Sequence, residues 1–238
     1  MTLLGKGAVT IWNDITRGGR DVFYRWHDEE HMPERVGIEG FLRGRRWIRV
    51  DAETEIEWFT LYETVDPAVL TGSGYLDRLN DPTAWTREAV THFLNVTRGL
   101  TEVTLSRSHA DGGHLLAAAW SGEGAVEAAA GLAPVLAERM TALAGVCGVH
   151  VCVGDHAASS AETEERRAKG SANESPDLVV MVETGRAAAL VEARVVLADA
   201  ARSLRRLEPL RQPGLYRLEV QHLPPRSVPE ATLMHAEG

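Results

Sequence analysis

The sequence predicts an α+β chain of two tandem βαββαβ repeats that pack sheet to sheet within one polypeptide, and three observations carry that expectation. Hydrophobic periodicity gives the order strand, helix, strand, strand, helix, strand, and then gives it again. Four strands with two helices on one face leave the other sheet face bare, so two such units bury their bare faces together. Charge is shared evenly by a split at residue 110, with 13 basic and 17 acidic residues before it and 12 and 17 after it, which sets one repeat at 1–110 and the other at 111–238.

In the first repeat Ala8–Ile15 alternates as a strand and Gly18-Gly19 breaks it. A helix follows from about Asp21, a plausible N-cap, towards Val36, with Pro33 as its stop signal. Phe41–Val50 and Glu57–Thr64 form a strand pair across an acidic turn. Helical segments then run from Asp66-Pro67 to about Thr97, and Glu102–His109 closes the set. In the second repeat His114–Trp120 is the strand, Gly124–Leu143 an Ala-rich helix, Val146–Gly154 and Leu178–Thr184 the strand pair, Ala187–Arg206 a helix and Leu215–His222 the last strand. The polar stretch Ala157–Ser175 lacks large apolar residues and reads as a flexible insertion, and the tail after Pro224 as a strap or loose end.

Composition bounds the function classes. The chain has 238 residues, 44% of them hydrophobic, which is ample for real cores. No apolar run approaches the roughly 20 residues of a membrane span, and no signal-peptide pattern opens the chain, so the expected setting is cytoplasmic and away from membranes. With 25 Lys and Arg against 34 Asp and Glu, the chain offers no electrostatic footprint for nucleic acid. Cys147 and Cys152 lie five apart on one strand, point to opposite faces and read as free thiols. Five of the six Trp, three of the four Tyr and all four Phe fall in the first half, which makes that half the expected carrier of a pocket.

Period-two counting assigns faces in the first repeat. Val9, Ile11, Phe59, Leu61, Val103 and Leu105 are predicted to lie under the helices. The alternate set, Thr10, Trp12, Asp14, Arg43, Arg45, Trp47, Trp58, Thr60, Tyr62, Thr104 and Ser106, mixes rings with polar groups and suits a pocket wall between the halves.

The run E-E-H-M-P-E-R at Glu29–Arg35, followed by G-F-L-R-G-R-R-W at Gly40–Trp47, resembles the signature of EthD-like proteins in the dimeric α/β-barrel (ferredoxin-like) superfamily. The resemblance implies an intrachain barrel that takes small, often aromatic or polyketide-like molecules. It also implies company with cofactor-free cyclases, isomerases and monooxygenases, with some haem-binding enzymes. Under it, His31 occupies the acid/base position, Pro33 the helix terminator and Arg45-Arg46-Trp47 the strand signature. The second half carries no His-x-Pro counterpart.

His31 is therefore the expected catalytic residue, since histidine titrates near neutral pH. The expected substrate-binding set is Trp12, Asp14, His27, Arg43, Arg45, Trp47, Trp58 and Tyr62: flat rings for a planar ligand, guanidinium groups for a carboxylate or phenolate oxygen. His27 and His31 are spaced as on a zinc-binding helix, but H-D-E-E-H lacks the zinc-protease Glu and a third ligand, so no metal is expected. His150, Glu183, Arg217 and Glu219 read as a structural polar cluster. The leading expectation is a cofactor-independent cyclase, isomerase, dehydratase or oxygenase on a small hydrophobic or aromatic molecule. A non-catalytic binding protein of the same fold is the alternative, haem or metal binding the third, and a monomer or homodimer the expected assembly.

Overall fold

A computed structural model describes residues 3–170 and 173–225. The strands are β1 (Gly7–Ile15), β2 (Phe41–Arg49), β3 (Trp58–Thr64), β4 (Phe93–Ser108), β5 (His114–Ser121), β6 (Val146–Gly154), β7 (Leu178–Thr184) and β8 (Glu208–His222). They hydrogen-bond in the order β1-β3-β2-β8-β5-β7-β6-β4 and close into a barrel with every neighbour antiparallel. The first repeat supplies β4-β1-β3-β2 and the second β8-β5-β7-β6, the same order twice. They meet edge to edge at β2–β8 and β4–β6, so the bare faces become the barrel interior and no strand edge is left open.

The fourth strand of each repeat starts earlier than periodicity indicates. β4 begins at Phe93 rather than near Glu102, because its first residues pair with the end of β1 around a bulge where Asn95 takes φ 52°. β8 begins at Glu208 because Pro209 and Arg211 pair with the end of β5 through two register shifts, although Pro209 and Pro213 read as breakers.

The helices lie outside the barrel. Over the first sheet run α1 (Arg20–Trp26), a π-helical segment (His27–His31) and α2 (Met32–Val36), then α3 (Ser73–Asn80) and α4 (Ala84–Val90). Over the second lie α5 (Ala125–Thr141) and α8 (Ala187–Ala200). Between β6 and β7, the segment expected to be a flexible insertion carries two short helices, α6 (His156–Ser159) and α7 (Glu164–Lys169), and α7 packs on α3 and α4 of the other repeat. Thr163 caps α7 by accepting from the Arg166 N–H, and Gly170 closes it with φ 74°. These local stop signals, rather than apolar bulk, form the helix. The tail expected to act as a strap lies, from residue 226 onward, outside the described residues.

The barrel centre is solid. Trp12, Trp47, Phe59, Leu61, Met181 and Tyr216 fill it, and Ala117 and Ala119 of β5 face them, so large rings from one repeat interlock with small residues of the other. Three rings of the aromatic-rich first half, Trp12, Trp47 and Phe59, are therefore barrel filling, and most of the others lie under the helices. Period-two counting placed β1 and β2 correctly but inverted β3: Phe59 and Leu61 point inward, whereas Trp58 and Tyr62 lie under the helices. β3 is buried along its whole length, so its two faces carry no polarity contrast from which to orient it.

Charge is buried at one end of this core. Arg45 Nη2 donates to Glu63 Oε1 at 3.2 Å and to Glu183 Oε1 at 2.8 Å, linking the third strands of the two repeats. Arg43 holds Glu63 through two hydrogen bonds, and the N–H groups of Leu4 and Gly112 donate to Glu63 and Glu183. Burial alone would raise the Glu183 carboxyl, but His150 and Arg45 hold it well below the ordinary carboxylate range. Of the polar cluster expected in the second half, His150 and Glu183 do meet, while Glu219 turns outward to pair with Arg46.

Replacing Arg45 by Met leaves two carboxylates buried without their shared cation, so R45M is expected to lose on the order of 3–5 kcal/mol in urea unfolding. A loss below about 1 kcal/mol would show that the network adds little to the barrel.

Candidate functional site

The helix–sheet core of the second repeat is one continuous aliphatic cluster running from α5 through β5–β8 to α8. Under the helices of the first repeat the apolar residues form two clusters. One contains Val9, Met32, Val36, Tyr62, Tyr75 and Leu79, the other Phe23, Trp26, Trp58, Ala89 and Val90. A cavity opens between them, walled by Ile11, Trp26, His31, Tyr62, Tyr75, Leu79, Val90, Phe93 and Val96, with Arg35 and Arg98 at its polar side. Ala161, Thr163, Glu165, Arg166, Lys169 and Asn173 cover it, so the insertion of the second repeat is the lid of the first repeat's pocket. The cavity volume is about 80 Å³, room for several waters or one compact organic molecule.

His31 reaches this cavity because of a local defect in its helix. Pro33 has no N–H to give to the carbonyl four residues back, and the preceding turn widens to a π-turn in which the Met32 N–H bonds the His27 carbonyl five residues back. Pro33 thus does not end the helix; the run continues to Val36. The wider turn brings the His27 and His31 rings into a stack at 5.6 Å, with Trp26 at 4.2 Å from His31. Trp26 is fixed by donating its indole N–H to Thr86 Oγ1 at 3.0 Å. Tyr62 lies edge-on to His31 with ring centres 6.5 Å apart. The Tyr62 ring crosses β2 at Gly44, where a Cβ would come within 2.9 Å of it.

On the two polar side chains of this wall, His31 Nδ1 and the Tyr62 hydroxyl are buried and have no hydrogen-bond partner among the described residues. Burial, and then the positive charges of Arg35, His27 and Arg98, hold the His31 pKa well below the ordinary histidine value, so the imidazole is neutral at pH 7. Burial likewise raises the Tyr62 phenol far above the ordinary tyrosine value and keeps it protonated.

The rest of the residues expected to bind substrate are placed elsewhere. Trp12 and Trp47 are inside the barrel, packed on Phe59 at 4.6 and 5.7 Å. Arg43 and Arg45 belong to the buried carboxylate network. Asp14 accepts from the Glu57 N–H and the Asn95 amide, tying strand ends together. Trp58 is under the helices but stands against Phe23, Tyr24 and the Arg20 guanidinium rather than the cavity. His27 backs His31 from outside the cavity, its Nδ1 accepting from Arg46 Nη1 at 2.9 Å. A metal cation at His31 would face Arg35 and Arg98, and the Arg46 hydrogen bond already occupies His27 Nδ1, so this pair does not fit metal ligation.

Sequence reasoning missed Trp26, Tyr75, Phe93 and Arg98, together with every lid residue. Arg98 had a signal, a basic residue between Val96 and Leu100 on one face of a strand. The lid had one too, a polar insertion with its own caps.

Sequence comparison finds no matching family model and no matching curated protein. Solved structures show the fold. An anthrone oxidase-like protein matches with TM-score 0.65 and 12% identity over 97% of this chain and 99% of its own. A candidate monooxygenase from Fusobacterium nucleatum matches with TM-score 0.54 and 10% identity over 92% of this chain and 95% of its own. A chlorite dismutase from Candidatus Nitrospira defluvii matches with TM-score 0.51 and 8% identity over 90% and 91%. The chain has the dimeric α/β-barrel fold, both halves built into one polypeptide. Among the described residues, no helix is long and apolar enough to cross a membrane.

His27 and His31 titrate lower in the folded chain than in the unfolded one, so below about pH 6.5 the unfolded chain binds protons that the folded chain refuses. Their contribution is complete above about pH 6.5 and is lost as pH falls towards the folded-state values. Urea midpoints between pH 7.5 and 5 are expected to fall, and His31→Gln should flatten that slope by up to about 1.4 kcal/mol per pH unit. An unchanged slope would mean that His31 is not held neutral.

Proposed function

We propose that this protein is a cofactor-independent enzyme that moves a proton on a compact aromatic or polyketide-like compound, with His31 as the base. The observation that carries the reading is that His31 and Tyr62 line the aromatic side of the cavity, each with a buried polar atom, Nδ1 and the hydroxyl, that has no hydrogen-bond partner among the described residues. A neutral imidazole offers a lone pair at pH 7, and its lowered pKa makes it a weak base that takes a proton only as negative charge develops beside it on the substrate. A phenol kept protonated donates to an oxygen on which negative charge develops.

The reaction class that uses both is enolisation. A C–H beside a ring carbonyl gives its proton to His31, the bonding electron pair moves into the C–C bond, and the carbonyl electrons move onto the oxygen held by Tyr62. Cyclisation, isomerisation and dehydration of polyketide-like compounds all pass through such a step. The anthrone oxidase-like and monooxygenase neighbours support a search among ring substrates, through the fold alone.

A second reading, a binding protein without chemistry, draws on the same atom. No carboxylate orients the imidazole through Nδ1, and a nucleophile–base–orienter set is incomplete among the described residues.

Exchange of enolisable hydrogens into D₂O, followed by NMR on anthrone and 1-tetralone, separates the two readings without knowledge of the full reaction. Acceleration over buffer is expected, with a loss of about 10²-fold or more in His31→Ala and a smaller loss in Tyr62→Phe. Tight binding with exchange at the buffer rate would leave the binding-protein reading in place.

A further inference from the structure

Resting on the reading of this cavity as a ligand pocket, we propose that it selects an anion: a ring compound carrying a carboxylate or phenolate oxygen, held by Arg98 from β4 and Lys169 from α7. The chain as a whole carries a formal charge of −9, yet four cationic side chains, Arg35, Arg98, Arg166 and Lys169, border the cavity against one carboxylate, Glu165.

Two of the four are compensated. Arg35 pairs with Glu165 across the lid and with Glu34 on its own helix. Arg166 donates to the Ser160 carbonyl at 2.8 Å and stands 3.8 Å from Glu162. The other two have no carboxylate within ion-pair distance among the described residues. Arg98 Nη2 donates to the Tyr75 hydroxyl at 2.7 Å, and Lys169 donates to the amide oxygen of Asn173.

Like charges around a confined space repel, and the effect registers on Lys169, where burial and then the charges of Arg166 and Arg98 push the ammonium down to about 8. Placing an anion between Arg98 and Lys169 relieves that repulsion and satisfies their free donors by charge-assisted hydrogen bonds. Around these donors the lining by Ile11, Trp26, Leu79, Val90, Phe93 and Val96 is apolar and suits the body of a ring compound. The ligand is thus divided into a ring held by the first repeat and an anionic oxygen held between β4 and the lid. The Glu174 carbonyl, which accepts from the Arg98 N–H at 2.8 Å, fixes the lid's end next to that oxygen.

Calorimetric titration at low salt and pH 7 with matched pairs tests this. The carboxylate pair is 2-naphthoate and its neutral isostere 2-naphthamide; the phenolate pair is 2,4-dinitrophenolate and 2,4-dinitroanisole. At least one anion is expected to bind about tenfold or more tightly than its neutral partner, and which pair discriminates identifies the oxygen. R98Q and K169Q should each shrink the preference and the double variant should erase it, while affinity for the neutral partner stays within about twofold, which also reports an intact pocket. Neutral probes that bind as tightly as the anions, or a preference that survives in the double variant, would overturn anion selection and leave the pocket standing. If no probe of either kind binds the unaltered protein, the pocket reading itself falls and this inference with it.

Discussion

One guanidinium, that of Arg45, is shared between Glu63 of the first repeat and Glu183 of the second, and the barrel is organised around that shared charge. The two carboxylates occupy equivalent places, each followed by Thr at the end of the third strand of its repeat, in Tyr62-Glu63-Thr64 and Val182-Glu183-Thr184. Two buried negative charges would drive the sheets apart without a cation between them, and a cation there would be costly without both carboxylates. The network joins the halves across the barrel, and beside it the tryptophans and phenylalanine of one half interlock with the alanines of the other.

A filled axis displaces function to the outside of the sheet. In the second repeat that outer layer is packed without interruption by aliphatic side chains from two long helices. In the first, short helices, a π-turn and aromatic residues pack as two clusters with a gap between them, and His31 and Tyr62 line that gap. The asymmetry of the repeats is thus one of packing: the same fold is dense on one side and hollow on the other.

The tandem arrangement matters because the hollow side is covered by the dense side's insertion. Thr163, Glu165, Arg166 and Lys169 belong by chain position to the second repeat, yet they wall the pocket of the first, with Arg35–Glu165 as the ion pair that joins lid to helix. The lid carries few buried apolar residues and is held by caps, ion pairs and backbone bonds, which places it at the less stable end of the molecule.

Much of the fold was legible in the chain. Strand and helix periodicities gave the doubled βαββαβ order, and the His-x-Pro and Arg-Arg-Trp run led to the dimeric α/β-barrel fold and singled out His31, which lines the cavity. The ends of β4 and β8 were not legible, because bulges and edge pairing admit residues that local rules reject. Neither was the facing of β3, because a strand buried on both sides carries no contrast between its faces. The position of the pocket was likewise hidden: polar and aromatic residues alternating on β2 fit a pocket wall as well as a buried ion network, and only the partner strands 138 positions away in sequence distinguish them. Sequence by itself determined which elements form, since capping, turn and periodicity rules act over a few residues. Tertiary structure decided which face is solid, which is hollow and which distant segment covers it, since those outcomes depend on volumes and charges that meet only after the chain has closed on itself.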